Sequence, residues 1–223
     1  QAIEIEPLVP QSHTKLGAVL AEQGAFDDAL ASYLRALEIE PGFFEAHLNL
    51  AELFKRQNQF DLARAACEQA MALNPQDADA RALRGLLALS LGDFGAGWPD
   101  YEFRLLAKDR EDTPPSQPRW DGGALAGRTI LLRAEQGHGD SLQFVRYAPL
   151  VKARGARVIL ECQPSLARLL ARSPGIDQVV IKGQPWPDFD VYVPLASLPG
   201  ILGTTVDTIP NDVPYLFPDP EAV

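Results

Sequence analysis

Over the first hundred residues, apolar side chains recur every three or four positions, and from about residue 128 they come instead as short unbroken runs. The first pattern puts one apolar stripe on a helix, and the second is that of strands buried on both faces. The helical pattern also carries a long period. Pro7, Pro41 and Pro75 are 34 residues apart, and the same spacing links Phe26, Phe60 and Phe94, then Gly24, Asn58 and Gly92, Gly17, Ala51 and Gly85, and Ala29, Ala63 and Gly97. Each period predicts two antiparallel helices. Small residues such as Gly17, Ala29 and Ala36 let the backbones approach, Leu16, Leu20, Phe26, Tyr33 and Leu37 fill the contact, and a proline stops the second helix before the next unit. One such unit cannot cover its own apolar face, so units stack.

These positions resemble the tetratricopeptide repeat (TPR), with units at 10–43, 44–77 and 78–111 in a domain over 1–111. The third unit departs from the pattern: Arg84 and Arg104 stand where the repeat prefers Leu and Ala, and Asp109 stands where the terminal proline belongs. Trp98, Tyr101 and Phe103 are either a face that docks on the next domain or internal packing of that unit. The resemblance implies a concave groove lined by the first helix of each unit. Gln11, Thr14, Glu45, Leu48, Glu52 and Lys55 are its candidate liners, and a protein or peptide is the implied partner. No Lys/Asn set suited to a C-terminal carboxylate is present. His13 and His47 occupy the same repeat position one period apart, which points to packing roles on neighbouring helices rather than to a metal site.

Residues 112–127, rich in Pro and Gly, read as a linker in which Trp120 covers itself against the domain after it. The pattern then alternates: strand 129–134, helix 141–154 with Pro149 as a possible kink, strand 157–161, helix 165–171, and strands 178–181 and 190–193. Short apolar strands alternating with helices predict a parallel doubly wound sheet over 128–223. Ligands in such sheets bind beyond the carboxyl ends of the strands. Those ends are 136–141, 161–164, 183–186 and 195–199.

Charge sharpens the division into two domains. Residues 1–112 hold 10 Lys/Arg against 19 Asp/Glu, and residues 113–223 hold 10 against 11. An acidic chain without a basic stripe argues against nucleic acid. No apolar run is long enough for a membrane span. Cys67 and Cys162, 95 positions apart, give no disulfide framework and no metal spacing. A reduced, cytoplasmic setting is expected, and Gln at position 1 suggests a piece of a longer chain.

The chemistry concentrates at Gly137-His138-Gly139-Asp140-Ser141, a turn between a buried strand and a helix start. A dinucleotide fingerprint would use Glu161 for the ribose, but Leu142 stands where its third glycine belongs. A Walker phosphate loop fails for want of lysine. The linked set Trp120…Gly122, Leu125-Ala126-Gly127-Arg128, Glu135-Gln136-Gly137-x-Gly139-Asp140, Gln143-Phe144-x-Arg146-Tyr147, Ser197-Leu198-Pro199 and Ile209-Pro210…Pro214-Tyr215-Leu216 resembles bacterial TPR-containing glycosyltransferases. It is similar, more distantly, to the heptosyltransferase family. That resemblance implies an α + α/β chain in which TPR repeats precede a Rossmann-like parallel lobe, the N-terminal half of a GT-B fold. It also implies a sugar nucleotide as donor substrate, with no tightly bound cofactor and no metal. Asp140 matches the proposed general base of the heptosyltransferases, and as a residue it is equally suited to capping the helix. Gln136, Gly137, His138, Gly139, Ser141 and Ser197 are the accompanying substrate-binding candidates, with His138 alternatively a plain exposed residue. The second GT-B lobe is not within these residues, so this polypeptide alone is expected to be inactive. The competing reading, from a different class, is a non-catalytic TPR adaptor.

Overall fold

The computed structural model describes residues 9–107 and 113–217. Its contacts divide the chain into two compact units, Gln1–Arg110 and Glu111–Val223.

The first unit is three helical hairpins: α1 (Pro10–Glu22) with α2 (Phe26–Ile39), α3 (Phe44–Arg56) with α4 (Phe60–Leu73), and α5 (Ala78–Ser90) with α6 (Phe94–Tyr101). The turn inside each hairpin holds a residue at positive φ at the same repeat position, namely Gly24 (79°), Asn58 (58°) and Gly92 (83°). Asn is among the few side-chain-bearing residue types that enter this region readily, which accounts for its place in the series. Small and large residues are matched across each hairpin. A Cβ on Gly17 would lie 2.5 Å from the Tyr33 ring, and one on Gly85 would lie 2.4 Å from the backbone nitrogen of Tyr101. In the middle hairpin Ala51 has room for its methyl, and it shares a buried cluster with Cys67, the residue at the repeat position of Tyr33 and Tyr101.

The third hairpin carries the departures from the repeat pattern. Its second helix contains Pro99 and ends at Tyr101, passing into a 3-10 turn, Glu102–Leu106. Arg84, in place of Leu, donates to Asp100 at 2.5 Å, and Arg81 donates to the other Asp100 oxygen at 3.2 Å while lying 3.6 Å from the centre of the Phe103 ring. Trp98 stands edge-on to Phe94 and Tyr101, so these aromatics pack among themselves within the repeat. Asp109 lies outside the described residues. Burial by itself raises the Asp100 pKa, but the hydrogen bonds and charges of Arg84 and Arg81 outweigh it and hold the carboxyl below its ordinary value. A depressed native pKa contributes stability above the unfolded value, near 4, that is lost as pH falls through the native one. Asp100→Asn is therefore expected to lower the melting temperature of the helical unit at pH 7, with the difference from wild type closing below about pH 4. A difference independent of pH would remove the ion pairs from the explanation.

The second unit is a four-stranded, all-parallel sheet of β1 (Thr129–Arg133), β2 (Arg157–Cys162), β3 (Gln178–Ile181) and β4 (Val191–Pro194) in the order β3-β2-β1-β4. β1 lies inside the sheet, with Ile130 opposite Val158 on one side and Val191 on the other. Ile130, Leu131, Leu132, Ile159 and Leu160 are fully buried, as the unbroken apolar runs require. The helices are shorter than the sequence pattern suggests. The expected helix 141–154 is α7 (His138–Phe144), a 3-10 turn Val145–Tyr147, and α8 (Ala148–Lys152); the expected 165–171 helix reduces to α9 (Ala167–Leu170) behind a 3-10 turn Pro164–Leu166. α10 (Leu198–Ile201) follows β4. Residues 113–127 form neither helix nor strand, but they belong to this unit's packing. Trp120 N–H donates to Tyr192 O, Tyr192 N–H donates to Pro118 O, and Trp120 and Leu125 are buried. Burial pushes the Cys67 and Cys162 thiols up to about 11, so both are free but protonated side chains of their cores.

Candidate functional site at the carboxyl rim of the sheet

The chain runs outward from β1 to β3 and then returns to the opposite side of β1 as β4. The loops after β1 and β4 are therefore neighbours at the carboxyl rim, the end of a parallel sheet beyond which ligands bind. The Gly137–Asp140 turn stands at that point. Gly137 is the N-cap of α7, with extended backbone (φ −68°, ψ 178°), and the helix starts at His138, three residues earlier than the apolar periodicity indicates. Asp140 is consequently the third residue of the helix rather than its cap. Its Oδ2 reaches back to accept the Gly137 N–H at 3.1 Å. Oδ1 makes no hydrogen bond among the described residues, and the side chain is half-buried.

The other predicted residues separate into two groups. Gly137, His138 and Gly139 stand toward solvent at the rim, and His138 Nε2 lies 2.8 Å from Ser165 Oγ. Gln136 is half-buried, its carbonyl accepting from Gln163 Nε2 at 2.8 Å. Ser141 and Ser197 are buried. Ser141 is 1 % exposed, and its hydroxyl is spent on Gly137 O and Gln163 Oε1. Ser197, also 1 % exposed, closes a 3-10 turn (Leu195–Ser197) instead of standing on an open loop. Both are small polar residues taken up inside the rim, a use the sequence pattern does not distinguish from ligand contact.

Three residues absent from the predicted set organise the rim. Gln163, directly after β2, ties Gln136 to Ser141, and Glu135 Oε2 accepts the Leu195 N–H at 3.0 Å, joining the β1 and β4 loops. Arg133, the last residue of β1, pairs with Glu161 at 2.9 Å, both side chains almost wholly buried. The hydrophobic alternatives at these positions would have read as ordinary strand, so the charged Arg133 opposite Glu161 is the one available signal. Both Glu161 oxygens are engaged: one is held by Arg133 and the other accepts Trp186 Nε1–H at 2.7 Å.

On the helical unit, Gln11 and Glu45 lie on the first helices of two hairpins, Leu48 packs against the core of the middle hairpin, and Glu52 and Lys55 form an ion pair at 2.6 Å. Thr14 lies against the interior of its hairpin. It is 5 % exposed and its hydroxyl donates back to Pro10 O at 2.9 Å within its own helix. His47 Nε2 lies 2.8 Å from Pro41 O, in a packing role. Among the described residues, no three His, Cys, Asp or Glu side chains converge as a metal-binding group, and no helix is long and apolar enough to cross a membrane.

Comparison with known proteins agrees with the repeat geometry. Residues 20–87 match the family described as Tetratricopeptide repeat, and the helical unit is a run of such repeats. The chain is 29 % identical over 172 residues to Protein FlbA of Caulobacter vibrioides (strain ATCC 19089 / CIP 103742 / CB 15), a match covering 67 % of this chain and 29 % of that protein. The chain thus spans under a third of the length of that curated relative. Among solved structures, similarity extends to the second TPR of Spaghetti (RPAP3) bound to an HSP90 peptide (24 % identity, 44 % of this chain, 90 % of that chain, TM-score 0.41). It also extends to YrrB, a TPR protein with an unusual peptide-binding site (17 %, 49 %, 57 %, 0.44), and to a tetratricopeptide repeat protein from Parabacteroides merdae ATCC 43184 (25 %, 48 %, 41 %, 0.42).

Proposed function

We propose that the helical unit captures a protein or peptide segment along α1, α3 and α5, and that the α/β unit is the acceptor side of a sugar-nucleotide-dependent transfer site with Asp140 as its base. The first part rests on the repeat class and on the side chains of Gln11, Glu45, Leu48, Glu52 and Lys55 on the first helices of two successive hairpins. The second part rests on one observation: Asp140 stands where the β1 and β4 loops meet at the carboxyl rim, with one carboxylate oxygen anchored and the other unengaged among the described residues. The strand order β3-β2-β1-β4 is also that of the first four strands of a Rossmann-like sheet, which favours the GT-B reading.

Anchoring and catalysis are compatible in this geometry. Oδ2 fixes the carboxylate through Gly137 N–H, and Oδ1 is left to take the proton of an acceptor hydroxyl as its oxygen bonds to the anomeric carbon and the nucleotide leaves. Such a base contributes on the order of 10²- to 10⁴-fold in rate. Gln136, His138 and the backbone of Gly137 and Gly139 would lie along the substrate. In the full natural polypeptide, Asp140→Asn is expected to cut transfer from a sugar nucleotide by about a hundredfold or more, with the melting temperature kept, because the amide oxygen still accepts from Gly137. Unchanged turnover would remove Asp140 from the chemistry, and loss of folding together with activity would reduce it to a helix-start residue.

The adaptor reading has one observation of its own. The crevice enclosed by Glu135, Gln136, Asp140, Phe144 and Leu195 has no room for even a water molecule. A protein whose Asp140→Asn form binds its partner and functions normally would be of that class.

A further inference from the structure

A second opening lies on the same rim, at the ends of β1, β2 and β3, and nothing in the proposed transfer site uses it. It is an open cleft of about 510 Å³ lined by Thr113, Arg133, Glu161, Lys182, Gln184 and Trp186, large enough for a small ligand. Its floor is built from register partners: Arg133 on β1 is opposite Glu161 on β2, and the two are joined by the buried 2.9 Å ion pair. Trp186 is fixed from several sides. Its Nε1–H donates to Glu161, the Arg133 guanidinium carbon lies 4.9 Å from its ring centre, and Phe189 meets it edge-on at 6.1 Å.

Despite those anchors Trp186 is 36 % exposed. A large flat apolar surface held in place at the mouth of a cleft has lost its rotamer freedom in advance, and so costs little further entropy when a ring lies against it. The remaining lining is polar. Lys182 is exposed and makes no ion pair among the described residues, and Arg133 and Glu161 are paired with each other, so among the described lining residues the Lys182 ammonium is the charge left over.

Flat apolar ring faces, hydroxyls around the edge and one negative group are the properties of an acidic pyranose. Its axial C–H face suits the indole, its hydroxyls find Thr113, Gln184 and Lys182, and its acid group sits at the Lys182 ammonium. We infer that this cleft binds a sugar ring bearing a carboxylate or phosphate, stacked on Trp186 with its acid group at Lys182. Such binding requires neither Asp140 nor transfer activity.

The test is titration of the 223-residue chain with glucuronate, glucose 6-phosphate, glucose and uridine monophosphate, followed by tryptophan fluorescence and calorimetry. Saturable binding of glucuronate or glucose 6-phosphate is expected, with glucose about tenfold weaker for want of the charge. The two acids tell carboxylate from phosphate. Trp186→Ala is expected to abolish binding of both acids, and Lys182→Gln to reduce their affinity to that of glucose while leaving glucose unchanged. Should Trp186→Ala fail to fold, the exposed Lys182→Gln decides alone. The inference is overturned by absence of saturation, by acids binding equally well to either folded variant, or by preference for uridine monophosphate, which would make the indole a platform for bases.

Discussion

Arg133→Met is expected to destabilise the α/β unit by about 3–5 kcal/mol, because it leaves the Glu161 carboxylate buried without its counter-charge. Both residues are 3 % exposed, and among the described residues the Arg133 guanidinium is the one cation bonded to Glu161. The double change Arg133→Met with Glu161→Leu should recover most of that loss, since removing both charges together avoids the desolvation cost that each alone incurs. Urea denaturation of the two variants decides the matter. If the single and double variants lose equal stability, the pair matters through shape alone, and Trp186, which loses its Glu161 acceptor only in the double variant, is then the residue to test.

Gly85→Ala should cost about 2–3 kcal/mol in the helical unit, although Ala is the better helix former by about 1 kcal/mol at an unconstrained site. The sign reverses because the added methyl would meet only backbone: Tyr101 N at 2.4 Å, Asp100 C at 2.8 Å and Gly97 O at 2.9 Å. A flexible side chain could turn aside, but a neighbouring helix has to move as a body. The control is Ala51→Gly at the same repeat position in the middle hairpin, expected to cost about 1 kcal/mol through helix propensity. Thermal melts in which Gly85→Ala stabilises the protein would show that α5 and α6 pack less closely than described.

The repeat was legible in sequence because it is a local pattern written three times: the prolines, the phenylalanines that open the second helices and the small residues recur at a fixed interval. What each small residue is for was not legible. Gly17 makes room for the Tyr33 ring, whereas Gly85 makes room for the Tyr101 backbone, and Ala51 needs neither because Cys67 stands opposite. The strands were equally plain, as a short run such as Ile130-Leu131-Leu132 between turn signals suits a strand covered on both faces. The helices between them were not, because Pro149, Pro164 and Pro199 sit inside or beside short apolar stretches and favour single turns over continuous helix.

Sequence by itself determined the period, the alternation of strand and helix, and the placing of Gly137–Asp140 at the end of the first strand, since all of these depend on spacing along one chain. Tertiary structure alone decided that β4 returns beside β1 and brings its loop against Asp140. It also decided that Ser141 and Ser197 face inward, and that Arg133, Glu161 and Trp186, drawn from residues 53 positions apart, make one cleft. The physical reason is that a hydroxyl or a charge reads the same in a sequence whether it meets solvent or a buried partner. Only strand pairing, which joins distant residues, determines which of the two it meets.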